Sequence, residues 1–214
     1  AEGLVHNPRE DVLFFDTLHE DVLHFNTTRV VKLNPTDPLD VTNAEMTARE
    51  QMLEMYTFLH DNVPGFEHSQ LLYSASEIGV RESRMIVGEY VLTEYDLKDC
   101  VRFDDAIAAG NYDIDIHSPD GSGTSHYYFP AGKWYTIPYR SLLPKGADNL
   151  LVAGRCISAT HAAQASIRIM PIVTTLGEAA GVAAAIAAKA GVSVKHADVQ
   201  AIRAQLEKEG AFLG

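Results

Sequence analysis

Two adjoining stretches carry residues that could hold an anionic or electron-rich group. "NLLVAGRCISATH", residues 149–161, runs from four apolar residues, Leu150 to Ala153, into Gly154, Arg155 and a polar stretch ending at His161. "QASIRIMPIVTTLGEAAGVAAAIAAKAG" follows and places Arg168 just before Pro171. The first stretch predicts a buried parallel strand. Ligands in open α/β sheets bind beyond the C-terminal ends of such strands. The second predicts a helix, whose free first-turn N–H groups and positive dipole end attract negative charge. A strand end, a small-residue loop, an arginine and a helix N-terminus together form a cradle.

The helix is clearly punctuated. Pro171 suits a first turn, where its missing N–H costs nothing, and Gly191 suits the left-handed closing position. Lys189 complements the dipole in the last turn. Gly177 and Gly181, four apart, share a face, which is expected to let the helix lie close to a sheet or another helix. "HADVQAIRAQLEKEG" predicts an amphipathic closing helix ended by Gly210.

Upstream, "DVLFFDTL" and "DVLHFNTTRVVKL" are rich in aromatic and β-branched residues and predict a hairpin. Thr42 and Glu45 have capping-box spacing and predict a helix start, with Met46, Met52, Leu53, Met55, Tyr56 and Leu59 on its apolar side. Pro64-Gly65 stops it. Residues 111–140 read as strand-rich.

Other reactive types form weaker patterns. The nine histidines contain no HExxH, and His117, Asp120 and His126 in "HSPDGSGTSH" are a poor metal set, so no metal site is expected. Asp113 and Asp115 alternate along a strand-like run and so share a face, where solvation is expected. No GxSxG elbow is present, which argues against a serine hydrolase. Cys100 and Cys156 lie far apart without CxxC spacing and are expected to be buried reduced thiols.

Composition narrows the partners. The chain is 46% hydrophobic and 21% charged, with a net charge of -12. No basic excess exists to neutralise phosphates, so neither nucleic acid nor an anionic membrane is an expected partner. The apolar run Ile172 to Ala190 contains Glu178 and Lys189 and fits a protein-buried helix better than a membrane span. Ala1-Glu2-Gly3 has neither the charge nor the apolar run of a secretory leader, and a cytoplasmic location is expected.

"NLLVAGRCISATHAAQASIRIMPIVTTLGEAAGVAAA" resembles the C-terminal segment of bacterial FAD-dependent oxidoreductases of the glutathione-reductase-like superclass. "FNTTRV", "GVRESRMIVGEYVLTEYDL" and "YTIPYRSLLP" also match, so the resemblance runs from about Phe25 to the end. It implies an α/β protein: an α+β substrate or cap domain over residues 1–145, then the C-terminal strand and helices of a Rossmann-like FAD-binding domain over residues 146–214. In such enzymes the helix N-terminus points at the pyrimidine side of the flavin and stabilises negative charge there. Gly154 and Arg155 align with the strand-end pair that meets the ribityl-diphosphate part of FAD. Many relatives have Gly-Asp there. Arg155 can only donate, to hydroxyls or phosphate. Arg168, Ile169 and Met170 align with the segment beside the flavin ring, with Ser166 and Pro171 as further candidates.

The family's GxGxxG fingerprint, which holds the ADP half of FAD, is absent from this sequence. "DGSGTSH" lacks the third glycine, opens no helix and reads as a turn. The expectation is a C-terminal portion of a larger enzyme carrying a partial FAD site, with the adenine half supplied by an N-terminal segment or separate chain. The expected reaction is hydride transfer between a small organic substrate and FAD. Such chemistry needs a cation to hold substrate and a base to take a proton. Arg140, Arg81 or Arg84 suit the first role, His161 or His117 the second, and Tyr139 accompanies Arg140. Two alternatives stand: a non-catalytic interaction subunit or degenerate fragment without cofactor, and a polysaccharide lyase-like enzyme. Two scattered cysteines cannot by themselves ligate the iron–sulfur cluster found in some relatives.

Overall fold

The structure, a computed structural model, describes residues 5–9, 11–117 and 123–214. The chain forms two compact units, Ala1–Val80 with His117–Thr124, and Arg81–Ile116 with Ser125–Gly214. Helices and small antiparallel sheets make an α+β protein.

In the first unit the expected hairpin is present. β1 (Phe14–Asp16) and β2 (Leu23–Phe25) pair antiparallel with Phe14 opposite Phe25, and those rings lie 5.7 Å apart. Helix α1 spans Pro38–Asn62 and begins earlier than Thr42. Asp37 is the true N-cap, accepting the Leu39 N–H at 2.8 Å, with Pro38 in the first turn. The Thr42 hydroxyl instead donates to Pro38 O, and Glu45 accepts the Ile78 N–H. Asp-Pro wins because it supplies both a side-chain acceptor and a preset helical φ. Val63 closes the helix before Pro64, and Gly65 turns away with φ +95°.

The second unit builds its core on β3 (Ala106–Gly110) and β6 (Tyr135–Pro138), an antiparallel pair with an irregularity between Ala106 and Ala108. A short helix, α2 (Glu94–Lys98), is started by a Thr93/Asp96 capping box. β4 (Ile114–His117) and β5 (Thr124–Tyr127) form another two-stranded sheet. Then come α3 (His161–Ile167), α4 (Met170–Ala190) and α5 (Val199–Lys208).

α4 meets its expected ends, with Pro171 in the first turn and Gly191 left-handed at φ +67°. Its buried side is Ile172, Leu176, Ala179, Ala183 and Ala187, spaced by three or four residues. It packs on β3 and α5, where Ile107, Ile202 and Leu206 are almost fully buried. Gly177 and Gly181 lie on the other side, and a Cβ built on either meets no atom within 4 Å. They do not serve close packing within this chain. α4 is long and apolar enough to cross a membrane by length and composition.

The expected strand Leu150–Ala153 joins no ladder among the described residues. The Val152 N–H bonds Leu142 O at 3.0 Å, but Leu150 is 50% exposed. A strand requires a neighbour to pair with, and apolar composition alone does not supply one. Cys100 and Cys156 are free thiols, as expected, but only half-buried.

Candidate functional site

The first turn of α4 forms one wall of a groove of about 540 Å³, through Ile169, Pro171, Ile172 and Thr175. Gly110, the last residue of β3, with Asn111, Tyr112 and Asp113 after it, forms the second wall, and Tyr128 and Phe129, following β5, complete it. Gly110 permits the close approach of these elements. A Cβ there would stand 2.6 Å from Ile172 Cδ1 and 2.8 Å from Tyr135 Oη.

Buried hydrogen bonds fix this wall. The Ser166 hydroxyl donates to Tyr112 O at 2.5 Å and lies 2.7 Å from the Tyr135 hydroxyl. With its own proton committed, Ser166 accepts from Tyr135. Burial holds the Tyr135 phenol well above its ordinary pKa. At the N-cap of α4 stands Ile169, which has no side-chain acceptor to offer the first-turn N–H groups. That end of the helix keeps its hydrogen-bonding capacity and positive dipole.

A charged cluster borders the groove. Arg168, at the C-cap of α3, pairs with Asp115 at 3.0 Å, with only 13% and 9% of the two side chains exposed. His126 Nδ1 lies 2.5 Å from Asp113 Oδ2, and its Nε2 lies 3.9 Å from Asp115 Oδ1. The His126 ring stacks on Tyr128 with centroids 5.4 Å apart. The two aspartates share a face, as their alternation implied, but they are engaged by side chains rather than solvated: Asp115 by Arg168 and Asp113 by His126. The Tyr112 phenol is raised chiefly by burial and then by Asp115 and Asp113, while Arg168 and Arg81 pull it down.

The cofactor candidates gather at the α3–α4 junction. Ile169 and Pro171 line the groove, while Ser166 and Arg168 support it from behind. Met170 is 74% exposed on the same turn. Arg155 Nε donates to Arg168 O at 3.3 Å, which brings the Gly154-Arg155 turn to this junction. Gly154 has φ +98° and open space around it.

The catalytic candidates lie apart from the groove lining. His161 is the first residue of α3, and its Nδ1 lies 2.6 Å from Glu82 Oε2. Arg140 lies against Tyr90 and binds Asp105 through Nε at 2.8 Å, a hydrogen bond that raises its pKa. Tyr139 is buried and donates to Val194 O at 2.8 Å, and burial pushes its phenol up to about 12. The backbone of His117 ends β4, but its side chain is outside the described residues, as is Asp120. Sequence reasoning missed Tyr112 and Tyr128 as groove residues, and His126 as the neighbour of Asp113 and Tyr128. The Asp113/Asp115 alternation and the aromatic residues around it were the available signal. Among the described residues, no cluster of three His, Cys, Asp or Glu is placed to hold a metal ion.

The second unit thus presents an uncapped helix start, a supporting arginine and a groove with aromatic walls. More particularly, a family model described as FAD dependent oxidoreductase matches residues 2–206, and the chain belongs to that family. No curated protein and no solved structure matches it.

Proposed function

We propose that this flavin oxidoreductase moves a hydride between a small organic substrate and FAD, with the ring end of the cofactor at the start of α4. The observation that carries this reading is the uncapped N-terminus of α4 opening on the groove. Flavin bound there supplies the two-electron acceptor or donor. The first-turn N–H groups and the helix dipole stabilise negative charge next to them. Arg168, held by Asp115, fixes the α3–α4 junction and adds positive potential. Arg155 offers donors for ribityl hydroxyls or a phosphate, and Gly154 leaves room for their approach.

In this reading residues 146–214 form the flavin side and residues 1–145 the substrate side. The 214 residues contain no GxGxxG, so the ADP half is held by an N-terminal FAD-binding segment or partner chain. The test is a titration of the purified chain with FAD, FMN and riboflavin, followed by flavin absorbance and by amide NMR signals of α4. Weak binding of similar strength is expected for all three, with shifts at Ile169, Met170 and Ile172. Stoichiometric FAD bound far more tightly than FMN would overturn the partial site. Absence of any response at those amides would overturn the flavin reading.

A further inference from the structure

His126 touches the groove wall at two points, bonded to Asp113 and stacked on Tyr128. We propose that His126 is the proton-transfer residue of this groove and that the groove takes an uncharged alcohol. The proposal rests on the flavin reading above.

Tautomer logic comes first. An ionised Asp113 can only accept, so His126 Nδ1 carries the proton in that 2.5 Å contact. In the neutral ring Nε2 is then left with its lone pair. Its neighbour Asp115 Oδ1 lies 3.9 Å away, beyond hydrogen-bond range. Asp115 is engaged by Arg168 through its other oxygen. The 8° angle between the rings of His126 and Tyr128 fixes the imidazole plane. About a third of the His126 side chain, 33%, is exposed, so water can return or remove the proton.

The groove lining selects the substrate class. Tyr112, Tyr128 and Phe129 offer ring faces to a carbon skeleton, and Asn111 offers an amide to a hydroxyl. Among the described residues lining the groove Asp113 carries the charge, and its carboxylate disfavours anions. In the forward direction the alcohol O–H proton passes to His126 Nε2. The hydrogen on the carbinol carbon leaves with its electron pair to the flavin, which is reduced by two electrons. The former O–H electron pair becomes the second bond of a carbonyl. The alcohol is oxidised by two electrons, and the proton passes on to water.

The experiment uses the full chain with ¹⁵N-labelled histidine, and the His126→Asn variant identifies the resonances. Benzyl alcohol and benzoate serve as probes. The expected neutral ring is protonated on Nδ1, and its Nε2 signal moves saturably with benzyl alcohol as the nitrogen accepts a hydrogen bond. Benzoate is expected to need at least about tenfold higher concentration, a difference of about 1.4 kcal/mol. A neutral ring protonated on Nε2 would overturn the proposal. So would equal responses to the two probes, or no His126 response up to the solubility limit of benzyl alcohol. None of these readings needs flavin. A failed flavin titration with a responding His126 would refute the flavin reading alone, and the converse pattern would refute this inference alone.

Discussion

Arg168 and Asp115 face each other at 3.0 Å with little water around either side chain. Removing one partner of such a pair leaves the other charge poorly solvated, which costs far more than the pair contributes as a unit. Arg168→Ala is therefore expected to lower stability by about 3–5 kcal/mol, read as a drop in the urea midpoint. The double substitution Arg168→Met with Asp115→Leu is expected to recover much of that loss. Equal stability of wild type and Arg168→Ala would show that the pair is well hydrated. Surface pairs such as Lys195–Glu89, 2.8 Å apart, carry much smaller effects because solvent screens them. The residue types at the groove were visible in the sequence, but their pairing was not. Arg168 and Asp115 lie 53 positions apart, and no local pattern relates them.

At the scale of elements, α4 decides most of the site. Its two faces make opposite predictions about glycine. Gly177 and Gly181 are exposed helical positions with room for a methyl group, so Gly→Ala at each is expected to stabilise the chain by about 0.5–1 kcal/mol. Gly110, opposite α4, lacks that room. Gly110→Ala is expected to cost about 1–3 kcal/mol, because Ile172 and the Tyr135 hydroxyl must both move. Thermal unfolding of the three variants checks both signs. A loss of stability for Gly177→Ala would mean that the glycine face is covered in solution. The helix itself was legible because its ends are marked by local chemistry, Pro171 and Gly191. The start of α1 was misread for an equally local reason: Thr42–Glu45 imitates a capping box inside a helix already begun at Asp37-Pro38.

Across the whole molecule, buried phenols set an alkaline limit. Burial pushes Tyr90 and Tyr139 up to about 12, with the Asp96 hydrogen bond adding to the effect at Tyr90. Tyr135, in the same core, is raised further by burial. Released by unfolding, each ionises near its ordinary value of about 10. A raised folded pKa means that the stabilising contribution is complete below about pH 10 and is lost as pH rises toward 12. Loss of circular dichroism is expected to accompany the late part of the tyrosinate absorbance rise. Full tyrosinate absorbance near pH 10 with the fold intact would refute this account. Tyr139→Phe is expected to shift the late absorbance while costing about 1 kcal/mol for the lost bond to Val194 O.

The sequence by itself determined the hairpin, both ends of α4, the closing helix and the segment that resembles flavin enzymes. Each depends on residues within a few positions of one another, through φ preference, capping and side-chain period. Tertiary structure alone decided that Leu150–Ala153 joins no ladder among the described residues, because pairing is a property of two segments. It also decided that Gly110 must remain bare, and that Asp113, Asp115, His126 and Arg168 meet beside one groove. Their contacts join side chains of β4, β5 and the α3–α4 junction that lie far apart in sequence, and the low exposure of Arg168 and Asp115 makes their pairing matter.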